Sequence, residues 1–178
     1  ISNAQQGVSV YGLIGTQTDW SKTGGIIKSY NSTFLNNWKD VAFLSYPFAN
    51  KSEFVKTNFT TSIDLFSNIH PKWHVSMYDV SGVTFKGCQF FNSNPNLDNF
   101  NRGSGIKSVD AKYIVTGLCT GPLDPSGQCL NLTRSSFNNL DFGIDATGTN
   151  QNQTVNISYT DFNEIIRGIV FTGIANSA

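Results

Sequence analysis

Three cysteines, two histidines and three tryptophans are the residues of this 178-residue chain whose types bear most directly on chemistry. Cys119 and Cys129 flank a loop, residues 120–128, made mainly of Gly, Pro, Asp and Ser. A disulfide closes such a loop readily and stabilises the fold by roughly 2–3 kcal/mol through loop entropy. Two thiols are too few for a structural zinc site, and a bridged loop points to an oxidising compartment. Cys88 lies in the alternating stretch 83–90 and reads as an unpaired, buried core residue. His70 and His74 bracket Pro71-Lys72-Trp73. A His-x3-His pair binds metal when both rings project from one helix face, and Pro71 in an extended context opposes that geometry. No third ligand is apparent, so no metal and no cofactor is expected. Neither a Gly-x-Ser-x-Gly elbow nor a Walker-type glycine loop occurs.

The aromatic residues offer a different chemistry. Trp20, Trp38 and Trp73, with Tyr30, Tyr46 and Tyr78, fall near polar or turn-rich stretches. A flat ring beside Asn and Asp side chains can stack on a sugar and bond its hydroxyls; the alternative is that the rings cover seams of the fold. Trp20, Trp38 and Trp73 are therefore the candidate glycan-binding residues.

The elements that must hold these groups are written in the composition and the spacing. Twelve basic residues balance twelve acidic ones, so nothing steers the chain toward nucleic acid or an acidic membrane surface. Only 13% of residues are charged, against roughly 25% in ordinary soluble proteins. Asparagine fills the gap with 20 copies, beside 16 glycines and 14 phenylalanines. That mixture suits turns and aromatic-lined strands and suits helices poorly. No apolar run reaches the roughly 18 residues of a membrane-spanning helix. The first residues, Ile1-Ser2-Asn3-Ala4, lack the basic and apolar regions of a signal peptide. Six Asn-x-Ser/Thr sequons occur, too slight an excess over chance to argue for glycosylation.

One unit is written twice, 25 residues apart. Asn131, Phe137-Asn138, Gly143-Ile144 and Thr147-Gly148 recur as Asn156, Phe162-Asn163, Gly168-Ile169 and Thr172-Gly173, with Leu132 matched to Ile157. A fixed period in this range marks a stacked repeat architecture. Looser copies place the key phenylalanines at 34, 59, 90, 137 and 162, with gaps of 25, 31, 47 and 25. Each gap reads as one coil except 47, which reads as two, giving about six coils of roughly 25 residues. Within a unit the apolar period is that of a strand interrupted by bends. The expected fold is all-β: a right-handed parallel β-helix forming one segment over residues 1–178, its phenylalanines stacked inside. Insertions are predicted near 93–102 and 119–129. The last copy is intact and no polar cap follows it, so the segment is expected to be part of a longer chain.

The stretch Val83–Phe90, then Gly105-Ile106-Lys107-Ser108-Val109-Asp110-Ala111, the cysteine loop and the Phe-Asn…Gly-Ile units resemble the large secreted β-helix proteins of gliding and gut-type bacteria. These belong to the pectate-lyase-like superfamily and are often type IX secretion cargo. The resemblance implies an extracellular or cell-surface location. It also implies either of two roles. One is a non-catalytic stalk, adhesin or glycan-contacting surface, with glycans or other surface-assembly subunits as partners. The other is a polysaccharide lyase or hydrolase acting on an acidic polysaccharide. Under the lyase alternative Arg102, Lys107 and Asp110 are the local candidates, and calcium becomes a possible cofactor. Under the hydrolase alternative Asp141, Asp145 and Asp161 are the carboxylates on neighbouring coils. Fold-level resemblance confers neither activity, and no convincing catalytic set is present, so the expectation is a non-catalytic segment.

Overall fold

The structure, a computed structural model, describes residues 1–11, 25–49, 51–65, 70–149 and 154–173. It is all-β, and among the described residues there is no helix. Most strands fall into three parallel rows. The first row runs β1 (Gln6–Tyr11), β4 (Lys39–Ala49), the start of β7 (Trp73–Lys86), β9 (Ser104–Val109), β14 (Phe142–Thr147) and β17 (Arg167–Thr172). The second runs β2 (Lys28–Tyr30), β5 (Glu53–Val55), the end of β7, β10 (Lys112–Thr116) and β15 (Thr154–Ile157). The third runs β3 (Thr33–Leu35), β6 (Asn58–Thr61), β8 (Gln89–Asn92), β13 (Ser135–Asn138) and β16 (Thr160–Asn163). The chain visits second, third and first row in turn and then repeats. Parallel sheets visited in this cycle are compatible with a β-solenoid.

Alternation along each strand sends one set of side chains inward. Phe34, Phe59, Phe90, Phe137 and Phe162 pair residue on residue along the third row. Their rings stack with centroids 5.2, 4.7, 4.4 and 5.0 Å apart and planes within 11° of parallel. Phe54 stacks on Phe85 at 5.0 Å in the second row. Val41, Val75, Ile106 and Ile144 complete the core from the first row, each fully buried. Cys88 is free and buried in this core, and desolvation pushes its thiol up to about 11. It is an inert packing group.

Two sequence expectations need correction. Phe90 pairs directly with Phe137, so the 47-residue gap is one circuit, not two. It is long because it carries both the 93–103 excursion and a hairpin of β11 (Leu118–Cys119) and β12 (Leu132–Thr133). The first row still counts six strands because β1 precedes the circuits the phenylalanines mark. The second correction concerns Leu132, which belongs to that hairpin. The true partner row of Ile157 runs through Val115, so the matching Asn-x-Ser/Thr triplets are not equivalent in space. The Cys119–Cys129 disulfide is formed, with Cα atoms 5.7 Å apart, and it closes the hairpin loop.

Sharp corners separate the rows, and many of them carry a residue at positive φ. Six of the nine non-glycine cases are Asn or Asp: Asn3, Asn31, Asn36, Asp79, Asp110 and Asn139. These short polar side chains tolerate the left-handed region best, which accounts for four of the twenty asparagines. The glycines of two Gly-Ile pairs, Gly105 and Gly143, answer to a different constraint. A Cβ on Gly105 would sit 2.5 Å from the Phe137 ring, and one on Gly143 would sit 2.7 Å from the Phe162 ring. The column must be empty for the phenylalanine stack to pass.

Outside, ion pairs bridge adjacent circuits: Lys107–Asp145 at 2.6 Å, Arg134–Asp161 at 2.8 Å and Arg167–Asp141 at 3.0 Å. Glu53 takes Lys86 at 2.7 Å, Lys28 at 3.5 Å and the Tyr30 hydroxyl at 3.0 Å.

Two outcomes test this account. Gly143→Ala overpacks the aromatic column and costs about 1–3 kcal/mol. Gly168→Ala, at the same position one circuit on, meets nothing closer than 3.9 Å and is near neutral. Chemical denaturation of both variants reads the difference; equal losses would refute the steric argument. The second outcome concerns pH. Hydrogen bonds from Lys86 and Tyr30 lower the Glu53 carboxyl from 4.5 to about 2. A depressed carboxyl contributes stability above its unfolded pKa and loses it as pH falls through the folded one. The stability gap between the protein and Glu53→Gln therefore shrinks as pH drops from 4.5 toward 2. Solvent screening keeps that gap below about 1 kcal/mol.

Candidate functional site

Trp38 and Trp73, both named from the sequence, come together with two lysines. Trp38-Lys39 opens β4 and Lys72-Trp73 opens β7, the next strand of the first row. Lys72 N donates to Trp38 O at 3.2 Å, and Lys39 is in register with Trp73. The dipeptides run in opposite orders, so indole and ammonium alternate both along and across the strands. Lys39 Nζ lies 4.5 Å from the Trp38 ring centroid and 5.1 Å from that of Trp73. Lys72 Nζ lies 5.4 and 4.4 Å from the same two rings. Each such contact contributes about 0.5–1 kcal/mol on an exposed face, which orders four long side chains into one checkerboard. Neither lysine is paired with a carboxylate among the described residues. The Trp73 Nε1 donor is buried and has no hydrogen-bond partner.

Two of the four, Lys39 and Trp73, line a groove of about 380 Å3 along the outer face of the first row. Small residues, Ala42 and Ser76, line it as well, with exposed Tyr78 further along β7 and Lys107 beside Ser76 on β9. No acidic residue lines it. The groove therefore offers two aromatic rings, Trp73 and Tyr78, and the Lys39 ammonium.

Beneath it the alternation turns the next side chains inward. Asp40 follows Lys39 and His74 follows Trp73, and both are buried. His74 Nδ1 donates to Asp40 Oδ2 at 2.6 Å, and Asn37 Nδ2 donates to Asp40 Oδ1 at 2.7 Å. Asn37 Oδ1 accepts from Ala4 N at 2.8 Å. The His74 ring sits 6.4 Å from both Phe59 and Phe90 by centroid. It faces the core and cannot reach a ligand in the groove. The pair instead clamps β4 to β7 directly under the tryptophans. Satisfied buried networks of this kind rigidify what they support.

The enzyme candidates do not converge. Arg102 ends the 93–103 excursion, Lys107 projects from the middle of β9, and Asp110 turns the corner after it with φ of 51°. Eight residues of extended chain separate the outer two by about 25 Å. Lys107 is paired with Asp145, and Asp110 accepts from Thr149 N and from its hydroxyl. Asp141, Asp145 and Asp161 are each committed to a cation on a neighbouring circuit. Among the described residues no group of three or more His, Cys, Asp or Glu could hold a metal ion, and no helix is long and apolar enough to cross a membrane. His70 is exposed, apart from His74 in the core. Trp20 lies outside the described residues.

Lys39 and Lys72 were missed in the sequence. The mirrored dipeptides Trp38-Lys39 and Lys72-Trp73 are the signal that could have found them. Compared with protein-family models, with curated proteins and with solved structures, the chain matches none.

Proposed function

We propose that this chain is a right-handed parallel β-helix segment of an extracellular or cell-surface protein, non-catalytic, that presents a glycan-contacting face. The observation that carries the reading is the Trp38–Lys39–Lys72–Trp73 checkerboard over an acid-free groove. Indole faces stack on the apolar face of a sugar ring. Two lysines without carboxylate partners favour a glycan that bears carboxylate or sulfate groups. The disulfide-closed hairpin supports an oxidising, extracellular setting. Export by type IX secretion belongs to the same proposal and rests on the family resemblance alone.

Two observations support the non-catalytic part of the reading: Arg102, Lys107 and Asp110 stand apart along the chain, and Lys107, Asp141, Asp145 and Asp161 are held in ion pairs.

Titration of the chain with uronate-containing and sulfated oligosaccharides, read by tryptophan fluorescence, tests the proposal. Trp73→Ala is expected to weaken binding about tenfold, or ~1.4 kcal/mol. Lys39→Ala with Lys72→Ala is expected to remove the salt dependence as well. Binding that is unchanged in both variants, or absent in the parent chain, overturns the glycan-contacting face. Unsaturated products released from a uronate polymer would make the chain a lyase instead.

A further inference from the structure

A second concavity lies on the other side of the corner from the tryptophans. It has a volume of about 500 Å3 and is walled by Asn99 and Arg102 of the 93–103 excursion. Asn139, at the β13–β14 corner, and Glu164, at the β16–β17 corner, line it as well. Its floor is Phe162, Ile165 and Ile166. The excursion is held in place over these corners. Asn92 Nδ2 donates to Arg102 O at 2.8 Å, and Asn139 Nδ2 donates to Asn92 O at 2.5 Å.

Arg102 is the one cation in this lining, and it has no acidic partner within salt-bridge distance. Its Nε is buried and makes no hydrogen bond. The residue as a whole is half-buried, and the guanidinium fork matches a carboxylate best. The floor beside it is apolar, one phenyl ring and two isoleucines, with Ile166 exposed, so it favours an alkyl group over a sugar. Asn139 spends its Nδ2 on Asn92 and keeps Oδ1 as an acceptor. Glu164 is exposed at the rim, an acceptor for an N–H and a repulsive charge toward any second anion.

We propose that this groove is a separate binding site for a ligand with one carboxylate and an aliphatic body, namely the C-terminal residue of a peptide. Arg102 takes the carboxylate, the isoleucines take the side chain, and Asn139 Oδ1 or the Glu164 carboxylate takes the amide N–H. The site does not depend on the glycan reading, because none of its residues belongs to the tryptophan groove.

N-acetyl-leucine and N-acetyl-leucinamide, titrated into the isotope-labelled chain, test it by nuclear magnetic resonance. The acid is expected to shift the backbone amide signals of Asn139 and Glu164 saturably, and the amide at least tenfold more weakly. Arg102→Gln is expected to abolish the response and Ile166→Ser to weaken it several-fold, each with the remaining spectrum unchanged. Trp73→Ala is expected to leave it intact, which separates this site from the glycan face. Equal responses to acid and amide, no saturable response, or a stronger response to galacturonate than to N-acetyl-leucine would overturn the proposal.

Discussion

Parallel strands in a sheet stand about 4.8 Å apart, and aromatic rings stack at nearly the same separation. Five phenylalanines exploit that coincidence, with centroid spacings from 4.4 to 5.2 Å. A ring on one strand can lie flat on the ring of the next only if the strands are parallel, in register and unshifted. The stack therefore does more than fill volume. It penalises a one-residue slip, which would send every ring to solvent, and it lets circuits of unequal length end on the same register. The 47-residue circuit shows this: two long excursions leave and return, yet Phe137 lands on Phe90 with planes 3° apart.

What surrounds the stack follows from giving it room. The glycines at 105 and 143 are empty positions beside rings rather than flexible ones, since a methyl group there would enter the ring. His74 and Asp40 occupy the same column one and two circuits before Gly105, where polar groups replace empty space. A buried polar pair is weak evidence of stability, because desolvation offsets the attraction. Its value here is positional. It joins the two strands whose outward neighbours are the four residues of the checkerboard, so the outer geometry inherits the precision of the inner pair.

How much of this was legible in the sequence depended on the direction each side chain faces. The phenylalanine spacing, the Gly-Ile pairs, the buried Cys88 and the cysteine loop face the core or close a chain, and each leaves a periodic or compositional mark. Two errors arose where local identity competed with topology. Asn131-Leu132-Thr133 resembles Asn156-Ile157-Ser158 because both precede a Phe-Asn strand, yet the first is the returning arm of a hairpin. The 47-residue gap divides neatly into two periods, and only the ring pairing shows that it does not.

The outward residues escape such reasoning for a physical reason. In a strand, core and surface positions alternate, so the packing that fixes Asp40, His74 and Val75 places no demand on Lys39 or Trp73 beyond position. No period marks them, and their partners come from a strand 34 residues away in the chain. Lysine and tryptophan taken singly are ordinary surface residues. Only their interleaving across two strands, at 4.4–5.4 Å, makes a surface with a charge and a shape. The scaffold is thus encoded redundantly, circuit by circuit, whereas the checkerboard is encoded once, in two reversed dipeptides. A substitution in the stack is felt along the whole fold; one in the checkerboard can change that surface and leave the circuits as they are.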